Sequence, residues 1–215
     1  MKHLIVYDLD GTLVDTAEDI TEAANHMMRR LSAAPLSRAE IRAMVGRGLH
    51  DLVQRCLKTD DERLIQHGAK LFGAYYAEHL DQHSRLYPGA LEALTHFQSR
   101  PQAVFTNKPH PFAEDLLKRL EIDRYFVEVL TPLGGVKKPD PARLLALMDR
   151  LGIARQDTLF IGDSLIDLDT SRNAGIDILL VTHGFEDHDE LKRAAPQAVV
   201  GDFQGVLEAV RRSGW

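Results

Sequence analysis

One cysteine, one tryptophan and no apolar run of membrane length set the first limits on this 215-residue chain. Cys56 alone cannot close an intrachain disulfide, which points to a reducing compartment. No stretch approaches eighteen consecutive apolar residues, and the apolar run after Met1-Lys2 is too short for a signal peptide. The expected location is cytoplasmic. Excess basic charge is missing too. A formal net charge of -6 argues against a nucleic-acid or membrane surface and leaves room only for a local basic pocket. Hydrophobic residues at 44% and charged residues at 27% lie near the globular average, so a packed core is expected.

What is present falls into two kinds of text. From about residue 16 to residue 85 the periodicity is helical, with no strand signal. Ile20, Ala24, Met27 and Leu31 mark one face of a first helix, opened by a candidate cap at Thr16 with Asp19 three residues on. Ser37 and Glu40 form a second capping box. Leu49, Leu52, Val53, Cys56 and Leu57 trace a third helix, and Leu64, Leu71, Phe72, Tyr75 and Tyr76 a fourth. From Tyr87 onward helices alternate with short apolar runs at 102–105, 126–130, 158–161, 176–181 and 198–200. That alternation predicts right-handed βαβ units and a mostly parallel sheet. Joined to the run Leu4–Tyr7, it gives an α/β, Rossmann-like core over residues 1–15 and 86–215. The helical text, residues 16–85, becomes an all-α cap inserted after the first strand.

The strand ends carry the chemistry. Asp8-Leu9-Asp10-Gly11-Thr12 follows the first run directly, where an open parallel sheet binds ligands. Its four specified residues recur by chance roughly once per hundred thousand positions. Thr106-Asn107-Lys108 follows the second run, Lys137-Lys138-Pro139 lies in a later loop, and Gly162-Asp163-Ser164 with Asp167 follows the fourth. Each has a blander reading. Thr106-Asn107 suits a helix cap, Lys138 a solvated loop, and Ser164 with Asp167 a capping box. Asp8 and Asp163 have none, because each ends a buried strand. Carboxylates that close repel one another unless a cation binds between them. An oxygen-only set without histidine or cysteine favours Mg²⁺ over Zn²⁺. A magnesium ion so held keeps open positions for phosphate oxygens, and Lys138, Thr106 and Asn107 supply the donors a phosphoryl group needs.

In these motifs and their order the chain resembles the haloacid dehalogenase superfamily, in its phosphatase branch with an α-helical cap. Val45-Gly46-Arg47-Gly48, Thr106-Asn107-Lys108-Pro109 and Ser171-Arg172-Asn173-Ala174-Gly175 are most similar to its phosphoglycolate phosphatases. The resemblance implies that Asp8 is the nucleophile, forming an aspartyl-phosphate, and that Asp10 is the acid and base. Mg²⁺ would be held by Asp8, the Asp10 carbonyl and Asp163, with Asp167 in support. Gly11, Thr106, Asn107 and Lys138 would bind phosphate, Thr12 would orient Asp10, and Arg47 would receive the substrate from the cap. The implied partner is a small phosphorylated metabolite, phosphoglycolate first among them, acted on by a monomer or homodimer. Pyrophosphatases and sugar-phosphate phosphatases share most of these residues. A β-phosphoglucomutase-like mutase is the further alternative, although Thr12 stands where such enzymes commonly carry an aliphatic residue. His79 and His83 have the i, i+4 spacing of helical metal ligands, yet no third ligand is near in sequence, which favours a solvated helix end.

Overall fold

The computed structural model describes residues 1–194 and 198–215. Along the chain run β1 (Leu4–Tyr7), β2 (Val14–Asp15), α1 (Ala17–Arg30), α2 (Arg38–Arg42), α3 (Leu49–Leu57), α4 (Glu62–His79) and β3 (Arg85–Leu86). There follow α5 (Ala90–His96), β4 (Gln102–Phe105), α6 (Phe112–Arg119), β5 (Glu128–Leu130), α7 (Ala142–Leu151) and β6 (Thr158–Gly162). The chain ends with α8 (Leu165–Ala174), β7 (Asp177–Val181), α9 (His188–Arg193), β8 (Ala198–Val200) and α10 (Phe203–Ser213).

Six strands form one sheet in the order β5-β4-β1-β6-β7-β8, every neighbouring pair parallel. Both faces are covered. Ile5 and Tyr7 of β1 join Val104, Ile161 and Leu179 in one apolar cluster, while Leu4 and Val6 join Phe105, Phe160 and Leu180 in the other. The two-residue alternation of a strand thus feeds two cores, which is why these segments read as unbroken apolar runs. From β1 the chain builds outward to β4 and β5, then returns to the other side of β1 with β6. The direction of winding therefore reverses at β1, and the carboxyl ends of β4, β1 and β6 form the crevice where such sheets bind ligands.

The helical text lies between β2 and β3, which pair antiparallel through Val14–Leu86 and Asp15–Arg85. Sequence periodicity gives no sign of this ribbon, because two-residue strands are too short to show alternation. It closes the neck of the insertion. Thr16 does sit at the start of α1, but its hydroxyl makes no capping bond and donates to Asp10 instead. Asp19, its expected partner, accepts from the backbone N–H groups of His83 and Ser84 and from the Ser84 hydroxyl. The second capping box, Ser37 with Glu40, forms with both halves present. On α4 the buried face is Ile65, Gly68, Phe72 and Tyr76, whereas Leu64 is exposed. Among the described residues no helix is long and apolar enough to cross a membrane.

Candidate active site

Asp8 stands one residue beyond β1, its N–H bonded to Ile161 O of β6 at 2.9 Å. Its Oδ1 accepts the Leu9 N–H at 2.7 Å and lies 2.8 Å from Lys138 Nζ. Oδ2 accepts no bond from the described residues. Lys138 reaches this place from the loop before α7 and is also 2.6 Å from Asp167 Oδ1. Asp163, just past β6, accepts from the Thr12 hydroxyl at 2.6 Å and from the Phe185 N–H at 2.8 Å. Carboxylate oxygens of Asp8, Asp163 and Asp167 all lie within 4.8 Å of one another, and all three residues are buried.

Three buried carboxylates face one buried ammonium, and the imbalance is visible in their acidities. Burial pushes Asp8 up from 3.8 to about 7, against the pull of Lys138 and with the push of Asp167. Burial likewise raises Asp163 well above the carboxylate range, with Asp167 and Asp8 adding to it. For Lys138 burial works against the charge, but Asp167 and Asp8 outweigh it, so its ammonium is held more firmly than usual. The cluster carries more carboxylates than ammonium groups, and the atoms it offers a cation are oxygen only. That is the environment a hard divalent cation fits.

Glycines make room for the cluster. Gly11 has φ +87°, and a Cβ there would overlap Asp163. A Cβ at Gly184, in the loop after β7, would overlap Asp163 from the other side. Ser164 and Asp167 do form the capping box of α8, while Asp167 Oδ1 holds Lys138. Asp167 thus caps the helix through Oδ2 and holds Lys138 through Oδ1.

Three sequence expectations change at this point. Thr12 bonds Asp163, not Asp10, because the turn after β1 carries its hydroxyl toward the end of β6. Asp10 Oδ1 instead accepts from Thr16 at 2.7 Å and from Lys108 Nζ at 2.8 Å. Gly11 does not offer its N–H to a ligand, since that group donates to Val14 O within the turn at 2.9 Å. Asn107 is committed as a brace. Its side-chain amide donates to Gly46 O and Lys138 O, and its Oδ1 accepts the Lys138 N–H, so no side-chain proton remains for phosphate. Nor does it cap a helix, because α6 starts only at Phe112. Thr106 accepts the Lys108 N–H at 3.1 Å and keeps its own hydroxyl proton free.

Two openings meet at Asp8 and Asp10. A broad cleft of about 970 Å³ is lined by Asp163, Ser164, Phe185 and the exposed Arg47. A small chamber of about 50 Å³ runs the other way, under the helical insertion, between Ile20, Leu52, Phe72, Tyr76 and Lys108. The loop between α2 and α3 rests on the core here. Gly46 O receives Asn107, Arg47 O receives Lys137 at 2.6 Å, and Arg42 reaches Gly184 O and stacks over Phe185. Sequence reasoning missed Thr16 and Tyr76 and left Lys108 undecided. Only the adjacency of Lys108 to Thr106-Asn107 hinted at its place. His79 bonds its own helix at Tyr75 O, and His83 pairs with Glu22, so the two do not converge on a metal.

The sequence pattern of the family described as haloacid dehalogenase-like hydrolase matches residues 5–181. A phosphoglycolate phosphatase from Nitrosococcus oceani is 34% identical, over 92% of this chain and 91% of that one. One from Pseudomonas putida is 32% identical, over 96% of this chain and 79% of its own length. Among solved structures, one described as a predicted phosphoglycolate phosphatase from Haemophilus somnus superposes with a TM-score of 0.91. It is 29% identical and covers 97% of this chain and 98% of that one.

Proposed function

The chain belongs to the haloacid dehalogenase-like hydrolase family, and on that premise we propose that it is a Mg²⁺-dependent phosphatase acting through an aspartyl-phosphate on Asp8. Its substrate is a small phosphomonoester, with phosphoglycolate, the substrate that names its curated relatives, as the first choice. The observation that carries this reading is the convergence of Asp8, Asp163 and Asp167 beside Lys138, with Thr106 lining the same chamber as Asp8. Mg²⁺ fits the oxygen-only, charge-deficient cluster, where Asp8, Asp163 and the Asp10 carbonyl would hold it and Asp167 would support it. When bound, it supplies positive charge to the transferring phosphoryl oxygens.

Asp8 Oδ2, free of hydrogen bonds from the described residues, is the oxygen available to attack phosphorus. Bond formation to phosphorus and loss of the ester oxygen leave a phosphoryl group on Asp8. Lys138, with one donor beyond those given to Asp8 and Asp167, and the Thr106 hydroxyl stabilise charge on the equatorial oxygens. Asp10 is held by Thr16 and Lys108 through Oδ1, so Oδ2 remains to protonate the leaving alkoxide. The same oxygen then takes a proton from the water that releases phosphate. Helices α1 to α4, residues 16–85, serve as a cap that covers the reacting centre and excludes bulk water. Arg47, at the mouth of the broad cleft, draws in an anionic ester.

The test is chemical trapping. Wild-type enzyme quenched in acid during turnover with Mg²⁺ should yield a peptide carrying one phosphoryl group on Asp8. Asp8→Asn should remain folded, retain Mg²⁺ binding and release no phosphate. Turnover by that variant near the wild-type rate removes Asp8 from its role.

A further inference from the structure

We propose that the small chamber beneath the helical insertion is the leaving-group subsite, and that Lys108 together with Tyr76 receives a carboxylate there. This selects phosphorylated acids with a two-carbon leaving group. The inference rests on the phosphatase reading of Asp8 and Asp10 and adds to it the class of ester.

Size comes first. A water molecule needs on the order of 10–15 Å³, so a chamber of about 50 Å³ suits a leaving group of only a few non-hydrogen atoms. Glycolate brings about that many beyond its ester oxygen, two carbons and two carboxylate oxygens. A hexose brings more than twice as many.

Charge comes second. Asp8 and Asp10 both line the chamber and repel an anion, and Lys108 is its one cationic side chain among the described residues. An ammonium has three donors. Lys108 gives one to Asp10 at 2.8 Å and one to the Tyr76 hydroxyl at 2.7 Å, which leaves one uncommitted. The Tyr76 hydroxyl accepts from Lys108 and so keeps its own proton to donate. A carboxylate entering the chamber therefore meets a charged donor and a neutral one, side by side. Ile20, Leu52 and Phe72, among the other lining residues, are buried and apolar, so this side of the chamber shields the pair from water. Arg47, the sequence candidate for this role, lines the broad cleft instead.

Lys108 also touches Asp10, so its loss slows every substrate, and the informative quantity is a ratio. We compare kcat/KM for phosphoglycolate with kcat/KM for 2-hydroxyethyl phosphate, which has the same length and no carboxylate. In Lys108→Met the ratio should fall on the order of 10- to 100-fold, the worth of a charged hydrogen bond. Lys108→Arg should recover part of it, and Tyr76→Phe should lower it several-fold. Lys108→Met with an unaltered ratio overturns the proposal while the phosphatase stands. Wild-type enzyme that turns over neither ester overturns both. Glycolate binding by calorimetry needs no turnover and decides the matter for a slow variant, since loss in Lys108→Met supports the subsite and retention refutes it.

Discussion

The hydroxyl of Thr12 lies 2.6 Å from Asp163 Oδ1, a bond between residues 151 positions apart. It ties the turn after β1 to the end of β6, the two strands that bring the proposed metal ligands together. With the Phe185 N–H on Oδ2, it fixes the Asp163 carboxylate from two directions.

Thr12→Val keeps the shape and removes the donor. The buried Asp163 oxygen then goes unsatisfied, at a cost of about 1–3 kcal/mol. Misorientation of a metal ligand by loss of its supporting bond weakens affinity by roughly 10–100-fold. Urea unfolding and calorimetric titration with Mg²⁺ should register both losses, and Thr12→Ser should show neither. Unchanged Mg²⁺ affinity in the valine variant would separate this bond from the metal site.

Gly184→Ala probes the same carboxylate without touching a polar group. The added Cβ would overlap the Asp163 side chain, so Asp163 must move. Mg²⁺ affinity and turnover should drop while circular dichroism remains that of the wild type. Gly201→Ala, with no atom within 4 Å of its Cβ, is the matched control and should behave as wild type. Equal activity in both variants means that the position of Asp163 does not matter to the chemistry.

The sequence exposes those parts of the site that end a strand. Asp8, Thr106 and Asp163 each follow a buried apolar run, and a parallel sheet brings such ends to one crevice by topology alone. Side-chain pairings across the site were not legible in this way. Thr12 and Thr16 both follow the first strand, and which of them reaches Asp10 depends on the path of the turn, where the Gly11 N–H closes on Val14. Tyr76 reads as an apolar residue on a helix face. Its hydroxyl meets Lys108 only because α4 packs beside the loop after β4. The ribbon of β2 and β3 carries two residues per strand, below the length at which alternation has meaning.

Lys138→Met removes the one ammonium shared by Asp8 and Asp167. Two buried carboxylates then face each other without a cation, and breaking a buried pair in this way costs about 3–5 kcal/mol. The midpoint of urea unfolding in EDTA should fall accordingly, with part of the loss restored by Mg²⁺. A variant as stable as the wild type in EDTA would mean that water already solvates this cluster.

Acidity provides a test of the metal site that needs no substitution. Burial raises Asp8 from 3.8 to about 7 and moves Asp163 in the same direction. Between about pH 4 and about pH 7 the folded protein therefore keeps protons that the unfolded chain has released, and the free energy of unfolding falls as pH rises. His183 and His26 oppose this, since burial lowers both from 6.5 and each favours the folded state as pH rises toward that value. Mg²⁺ binds the deprotonated carboxylates, so its stabilisation grows over the same interval, reaching about 2.7 kcal/mol at a hundred times its Kd. Melting temperatures in EDTA should decline from about pH 4.5 to about pH 7, and saturating Mg²⁺ should flatten that decline. The two histidines contribute equally to both curves and cancel in their difference. Parallel curves with and without Mg²⁺ would show that the ion does not draw on Asp8 and Asp163, and the site would have to be sought elsewhere.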